Sequence, residues 1–148
     1  MTTFELLQIV TGGIGSLCFA ILFNIQGKKL FFASLGGFLS WALFVLLKFL
    51  TPSEPIRYFL VAVLISVYAE ITARILKTPT TTFHMTALIP LIPGGSLYYT
   101  MSSIFDGKLD QFVEKGIYTL KLAVALAFGI VIVTAATHTI SKISSKRL

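Results

Sequence analysis

The residues with the clearest chemical potential in this sequence are Glu70 and Arg74, which stand near the end of a long apolar run. Their four-residue spacing places both side chains on one face of a helix, where they can form an ion pair. An unpaired charge inside a bilayer costs on the order of 2.5–3.5 kcal/mol on insertion scales, so pairing favours Glu70 at that depth. Two interpretations are open: a structural or orienting ion pair, or a carboxylate that takes up a proton and gates substrate release.

A second unusual feature is a cluster of helix breakers in a later apolar run. Pro90 and Pro93 each remove a backbone donor and clash with the preceding turn. Gly94 and Gly95 follow directly and remove the remaining local preference for helix. The cluster predicts two half-helices joined by irregular backbone, which membrane proteins tolerate only where protein or water satisfies it.

The break could bind a small anion. We expect a half-helix that begins after Gly95, with Ser96 as its cap, to present free N–H groups and the positive end of its dipole. A carboxylate is the natural ligand for that geometry, and Tyr98 would line the site. Broken helices near the middle of a span are typical of transporter sites. The alternative is a proline kink that only shapes packing.

The other polar residues carry weaker signals of a functional role. Asn24 follows the first apolar run and either joins the substrate-binding site, by bonding carbonyl groups of the broken segment, or caps a helix. His84 and His138 have no acidic or cysteine neighbours at ligand spacing, so we expect neither metal nor cofactor. Ser96 lacks the Gly-x-Ser-x-Gly setting of an intramembrane serine protease, because position 98 is Tyr98. The sequence therefore predicts no enzyme.

Composition places the chain in a membrane. Of its 148 residues, 55% are hydrophobic and 12% charged, with a mean hydropathy of +0.88, and soluble domains carry roughly twice that charged fraction. The net charge of +6 is spread over short loops and the C-terminus beside apolar runs. That distribution fits contact with the lipid bilayer rather than with nucleic acid.

Hydropathy and loop chemistry divide the chain into apolar runs, each about long enough to span a bilayer. We expect an all-α, polytopic fold: a single transmembrane domain over residues 1–148 with about five helices, the fourth broken at Pro90, Pro93, Gly94 and Gly95. The expected spans are residues 4–23, 30–50, 56–76, 82–105 and 116–140.

The charges of the loops predict an orientation. Lys28 and Lys29 follow the first span, Lys77 follows the third, and a basic tail follows the fifth. The intervening loops are neutral to acidic, so basic and non-basic connections alternate along the chain. By the positive-inside rule the N-terminus lies outside and the C-terminus inside, and the fourth segment is a full crossing rather than a re-entrant loop.

An ordered series of motifs resembles a known family. The motifs are Ala69-Glu70-Ile71-Thr72-Ala73-Arg74, Lys77-Thr78-Pro79-Thr80-Thr81, Ile89-Pro90-Leu91-Ile92-Pro93-Gly94 with Leu97-Tyr98, and Phe23-Asn24 with Lys28 and Lys29. Together they resemble the C-terminal, ThrE-like membrane module of the threonine/serine exporter family, occurring here as a separate small protein.

The resemblance implies a subunit of a secondary exporter of small carboxylate-bearing solutes in the bacterial cytoplasmic (inner) membrane. The resemblance favours threonine and serine as substrates, with a dicarboxylate such as succinate as the alternative substrate. The alternative function is that of a membrane assembly subunit that does not transport. It also implies a partner, which is the family's second membrane module, another copy of the chain, or both. Five spans are few for a complete alternating-access transporter, which supports the same conclusion.

Overall fold

The computed structural model describes residues 3–145, and every regular element in that range is helical. The helices are α1 Thr3–Leu22, α2 Lys28–Leu47, α3 Glu54–Ile75, α4 Thr80–Leu88, α5 Gly94–Phe105 and α6 Leu109–Ser145, with a 3-10 turn, Ile89–Leu91, between α4 and α5. Four of them, α1, α2, α3 and α6, are long and apolar enough to cross a membrane. The predicted all-α, polytopic class is confirmed, and the fourth segment is broken where its prolines and glycines stand.

Three of the helices end in the same way. The residues after α1, α3 and α5 have positive φ angles, at Asn24 (56°), Lys77 (48°) and Gly107 (72°). In each case the next N–H bonds back five residues, and these bonds are Ile25 to Ala20, Thr78 to Ala73 and Lys108 to Ser103. This is the Schellman motif, which satisfies carbonyl groups that the end of a helix leaves unpaired. It turns the chain sharply into each short loop.

Contacts between helices fix their directions. Lys48 Nζ lies 2.9 Å from Glu5 Oε1, so the end of α2 lies beside the start of α1. Tyr118 donates a hydrogen bond to Glu54 at the start of α3, and Gly129, farther along α6, packs against Ala62. α3 and α6 are therefore parallel. We call the end of the bundle that holds these two polar pairs the Glu54 end, and the opposite end the Lys28 end.

The broken segment runs from one end of the bundle to the other. Phe83 of α4 is fully buried in a cluster at the Lys28 end with Ala20, Ile25, Ala33 and Ala73. α5 packs mainly against α6, in the opposite direction: the hydroxyl groups of Thr100 and Thr119 are 3.1 Å apart, and Lys115 Nζ lies 3.1 Å from Ser103 Oγ. Because Tyr118 is level with Glu54, α5 leads to the Glu54 end. α4 and α5 together therefore follow the path of a crossing.

Small residues allow the helices to approach closely. Gly37 on α2 faces the buried Ser16 of α1 so tightly that a Cβ at Gly37 would overlap its side chain. A Cβ on Gly129 of α6 would lie 2.7 Å from Ala62 Cβ and 2.8 Å from the Phe59 carbonyl oxygen on α3. Small residues at such contacts are typical of membrane helices, which associate through packing rather than through the hydrophobic effect.

The two ends of the bundle differ in their balance of acidic and basic residues. Within residues 3–145, the Glu54 end has five acidic and five basic residues. The acidic residues are Glu5, Glu54, Asp106, Asp110 and Glu114, and the basic residues are Lys48, Arg57, Lys108, Lys115 and Lys121. The Lys28 end has Glu70 against Lys28, Lys29, Arg74, Lys77 and Lys142. The Lys28 end is therefore strongly basic.

Candidate functional site

The break is a tight turn centred on Pro93. Ile92 is extended (ψ 124°), as the residue before a proline prefers, and Pro93 has φ −73° and ψ 56°. The Gly94 N–H bonds to the Ile92 carbonyl oxygen at 2.6 Å, which closes an inverse γ-turn. α5 therefore begins at Gly94, and Pro93 is its N-cap. This differs from the expected start after Gly95 with Ser96 as cap; Ser96 is the third residue of the helix.

The first turn of α5 is open to its surroundings. Gly94 and Gly95 are exposed and Ser96 is half-buried. The N–H groups of Gly94 and Leu97 bond to Ile92 and Pro93, whereas within residues 3–145 those of Gly95 and Ser96 have no backbone acceptor. The half-helix thus presents two unpaired donors at its positive end, near the middle of the bundle.

Tyr98 lies on the outer surface of α5. Its side chain is 69% exposed and its ring packs edge-on against Tyr99, with the centroids 5.5 Å apart. It therefore shares a half-helix with Ser96 but does not enclose it.

Pro90 faces the opposite way, towards α1 and α2. A hollow of about 280 Å³ lies beside it, lined by Gln8, Thr11, Gly12, Trp41 and Pro90. The indole Nε1 of Trp41 is buried without a hydrogen-bond partner in the described part of the chain. The break thus borders a hollow on one side and presents exposed amides on the other.

Asn24 lies apart from the break. It is the left-handed residue of the Schellman motif that ends α1, and its Oδ1 accepts a hydrogen bond from Gln26 Nε2 at 2.8 Å. Gly12 is the part of α1 that adjoins Pro90, and at 1.5 Å per helical residue Asn24 lies about 18 Å farther along. The geometry supports the capping interpretation of Asn24.

Glu70 and Arg74 do come together, but loosely. Arg74 Nε lies 3.8 Å from Glu70 Oε2, which is too long for a hydrogen bond. The side chain of Glu70 is 15% exposed and that of Arg74 is 58% exposed. Both line a hollow of about 270 Å³ between α3 and α6, towards the Lys28 end. The structure therefore separates this pair from the hollow beside Pro90.

Three residues complete this second hollow, and the sequence analysis assigned none of them to a binding site. They are Thr134, Thr137 and His138, which all project from α6. Their spacing of three and four residues places them on one helical face, and this was a readable pattern. What could not be read is that α6 packs against α3 and brings this face to Glu70.

Two further polar groups lie on α4 and α3. His84 of α4 lies within electrostatic range of Glu70, and its Nε2 is buried with no hydrogen-bond partner in residues 3–145. At the Glu54 end the guanidinium of Arg57 stacks over the ring of Phe44, 5.0 Å from its centroid. Arg57 is the fourth residue of α3, so its charge lies near the end of the bundle, where a long cationic side chain reaches the headgroups.

Comparison with known families identifies the chain. The family described as "Threonine/Serine exporter, ThrE" matches residues 8–136, which include the broken segment, the hollow beside Pro90 and three residues of the second hollow, Glu70, Arg74 and Thr134. No curated protein and no solved structure matches the chain. Membership fits a membrane-embedded protein with a transport role, a small-molecule substrate and lipid surroundings. The chain belongs to the threonine/serine exporter family.

Proposed function

We propose that this protein is a subunit of a secondary exporter that moves small carboxylate-bearing solutes, with threonine and serine as the first candidates, out across the bacterial cytoplasmic membrane. The observation that carries the proposal is the break in the fourth segment. It presents the unpaired Gly95 and Ser96 amides at the positive end of α5, near mid-depth of a chain from an exporter family. Amides in this arrangement favour a carboxylate.

In this proposal the substrate site comprises Pro90, Pro93, Gly94, Gly95 and Ser96. The prolines hold the turn open, the glycines let the ligand approach the backbone, and Ser96 adds a hydroxyl group. Tyr98 enters the site only when another protein surface covers α5, since its side chain is 69% exposed in the isolated chain. Glu70 and Arg74 form a gate or proton-coupling pair nearer the Lys28 end.

A partner is part of the proposal, and the exposed turn of α5 supports it. Lipid tails cannot satisfy the N–H groups of Gly95 and Ser96, so a second polypeptide or a water-filled path beside one must cover them. The second membrane module of the exporter family, another copy of this chain, or both would supply that cover. Either arrangement places the substrate between two proteins, as alternating access requires.

The proposed orientation puts the Lys28 end in the cytoplasm. That end of the described chain has five basic residues against Glu70, and the sequence adds Lys146 and Arg147, which lie outside the described residues. By the positive-inside rule the N-terminus is then outside and the C-terminus inside. Substrate moving outward meets the Glu70–Arg74 hollow first and the break second.

The test is amino-acid efflux from cells loaded with a threonine-containing dipeptide, with and without this chain and with its genetic neighbour present or deleted. We expect efflux to require the chain and to fall at least fivefold in Ser96→Ala and Glu70→Gln. Normal efflux from both variants at equal membrane levels would contradict these roles. Succinate efflux that depends on the chain, without threonine efflux, would favour the dicarboxylate alternative.

The other alternative is an assembly subunit that does not transport. In that case the break docks a partner and Ser96→Ala leaves efflux intact, while bulky residues at Gly95 abolish co-purification of the partner. Retention of the partner together with loss of efflux would favour the transport role.

A further inference from the structure

The hollow between α3 and α6 has the donors and acceptors that one particular kind of ligand needs. Glu70 and Arg74 lie on one wall, and Thr134, Thr137 and His138 lie on the other. The 3.8 Å separation between Arg74 Nε and Glu70 Oε2 leaves both charged groups with capacity for hydrogen bonds to a third molecule. A loose pair beside a hollow of about 270 Å³ differs from a closed structural ion pair.

The two threonine hydroxyl groups act here as acceptors. Thr134 Oγ1 donates to the Ile130 carbonyl oxygen at 2.8 Å, and Thr137 Oγ1 donates to the Thr134 carbonyl oxygen at 3.1 Å. A hydroxyl group has one proton and two lone pairs, so the oxygen of each retains only accepting capacity. With the Glu70 carboxylate on the opposite wall, the hollow offers three acceptor groups. A primary ammonium group has three N–H donors.

Arg74 supplies the positive charge that a carboxylate group on the ligand would need. Its side chain is 58% exposed, and its guanidinium can present paired N–H groups to a carboxylate. His138 adds a ring N–H from the α6 wall. Arg74 and the Glu70 carboxylate stand four residues apart on α3, about one helical turn, which matches a ligand whose ammonium and carboxylate are neighbours.

We propose that this hollow is a loading site for the zwitterionic backbone of a free amino acid. The ammonium binds Glu70, Thr134 and Thr137, and the carboxylate binds Arg74, so that the ligand takes the place of the loose ion pair. The inference rests on the proposed export function and adds a second site to it, nearer the cytoplasmic Lys28 end. It also commits the subunit to amino acids over dicarboxylates, because a second carboxylate would be repelled by Glu70.

The test is equilibrium binding of radiolabelled L-threonine to the full chain in lipid nanodiscs, since both walls of the hollow come from this chain. We expect N-acetylthreonine, threonine amide and succinate each to bind at least tenfold more weakly than threonine. Glu70→Gln and Arg74→Gln should each weaken threonine binding at least tenfold. Thr137→Val, which is nearly isosteric and removes only the hydroxyl group, should weaken it about threefold.

The matched control is Asp106→Asn, which removes the carboxylate from another ion pair of 3.8 Å, Lys108–Asp106, at the Glu54 end. It should leave threonine affinity unchanged. Equal affinity in Glu70→Gln, equal affinity for succinate, or no threonine binding by the monodisperse wild-type chain would each overturn the inference. In all three cases chain-dependent efflux from cells would still sustain the export function, whereas absence of that efflux would remove the function itself.

Discussion

Ser16 on α1 lies directly against Gly37 on α2, and its hydroxyl group occupies the space that a Cβ at Gly37 would need. Ser16 is fully buried, and its Oγ has no hydrogen-bond partner within residues 3–145. We expect Gly37→Ala to lower the free energy of unfolding by about 2 kcal/mol through overpacking. The double variant Ser16→Gly with Gly37→Ala should recover most of that loss, measured as thermal stability in detergent. Independent, additive effects of the two changes would contradict this contact.

The contact between α3 and α6 makes a second stability prediction. A Cβ on Gly129 would meet backbone atoms of Phe59 and Val63, which cannot move aside as a flexible side chain can. Gly129→Ala should therefore destabilise the protein by about 2 kcal/mol. Gly116→Ala on the same helix is the control, because its Cβ would meet only the Thr100 methyl group at 3.6 Å. Equal melting temperatures for the two variants would argue against the parallel packing of α3 and α6.

The Schellman motifs predict opposite effects at two loops. Lys77 has φ 48°, which a residue with a Cβ adopts at a cost, so Lys77→Gly should stabilise the protein by about 1 kcal/mol. Gly107 has φ 72°, and Gly107→Ala should destabilise it by a similar amount, about 1 kcal/mol. Thermal unfolding of the purified variants measures both. Changes of the same sign would contradict this conformation of the loops.

The same reasoning separates the two interpretations of Asn24. As the left-handed residue after α1, it can be replaced by glycine without loss of the cap. Asn24→Gly should therefore preserve both thermal stability and amino-acid efflux, while Asn24→Val should lower stability. Loss of efflux in a stable Asn24→Gly protein would instead favour a role in substrate binding.

The orientation is open to chemical labelling. In a Cys18→Ser background, cysteines at Asp110 and Lys77 mark the Glu54 and Lys28 ends of the bundle. A membrane-impermeant maleimide added to intact cells should label the Asp110→Cys variant and leave the Lys77→Cys variant unlabelled until the membrane is opened. Labelling of both in intact cells would contradict a crossing by the broken segment, and the reverse pattern would invert the proposed topology.

Much of the fold could be predicted because membrane chemistry constrains sequence strongly. Apolar runs of the right length, prolines and charged loops indicated all the long helices and the break at Pro93. The relative positions of the helices could not be predicted, because they depend on contacts such as that of Gly129 with Ala62, which composition does not encode. For that reason Thr134 and Thr137 were missed, although Glu70 opposite them was found.

The details of the break show a similar limit. The breakers Pro93 and Gly94 indicated where the helix stops, but not that an inverse γ-turn would use the Gly94 N–H and start α5 at once. Nor could the sequence indicate that Tyr98 would face outward, since this depends on which face of α5 packs on α6. The exposed first turn of α5 is the observation from which we infer a partner.

The central claim is that the exposed amides at the start of α5 serve export, and substitution at Gly95 tests it most directly. A Cβ at Gly95 meets nothing within 4 Å in the described part of the chain, and the same is true of Gly15 on α1, so the two positions are matched in the open space around the first side-chain carbon. In cells loaded with a threonine-containing dipeptide, we predict that Gly95→Leu lowers chain-dependent threonine efflux at least tenfold, while Gly15→Leu retains it. Equal efflux from the two variants at equal membrane levels would contradict the account.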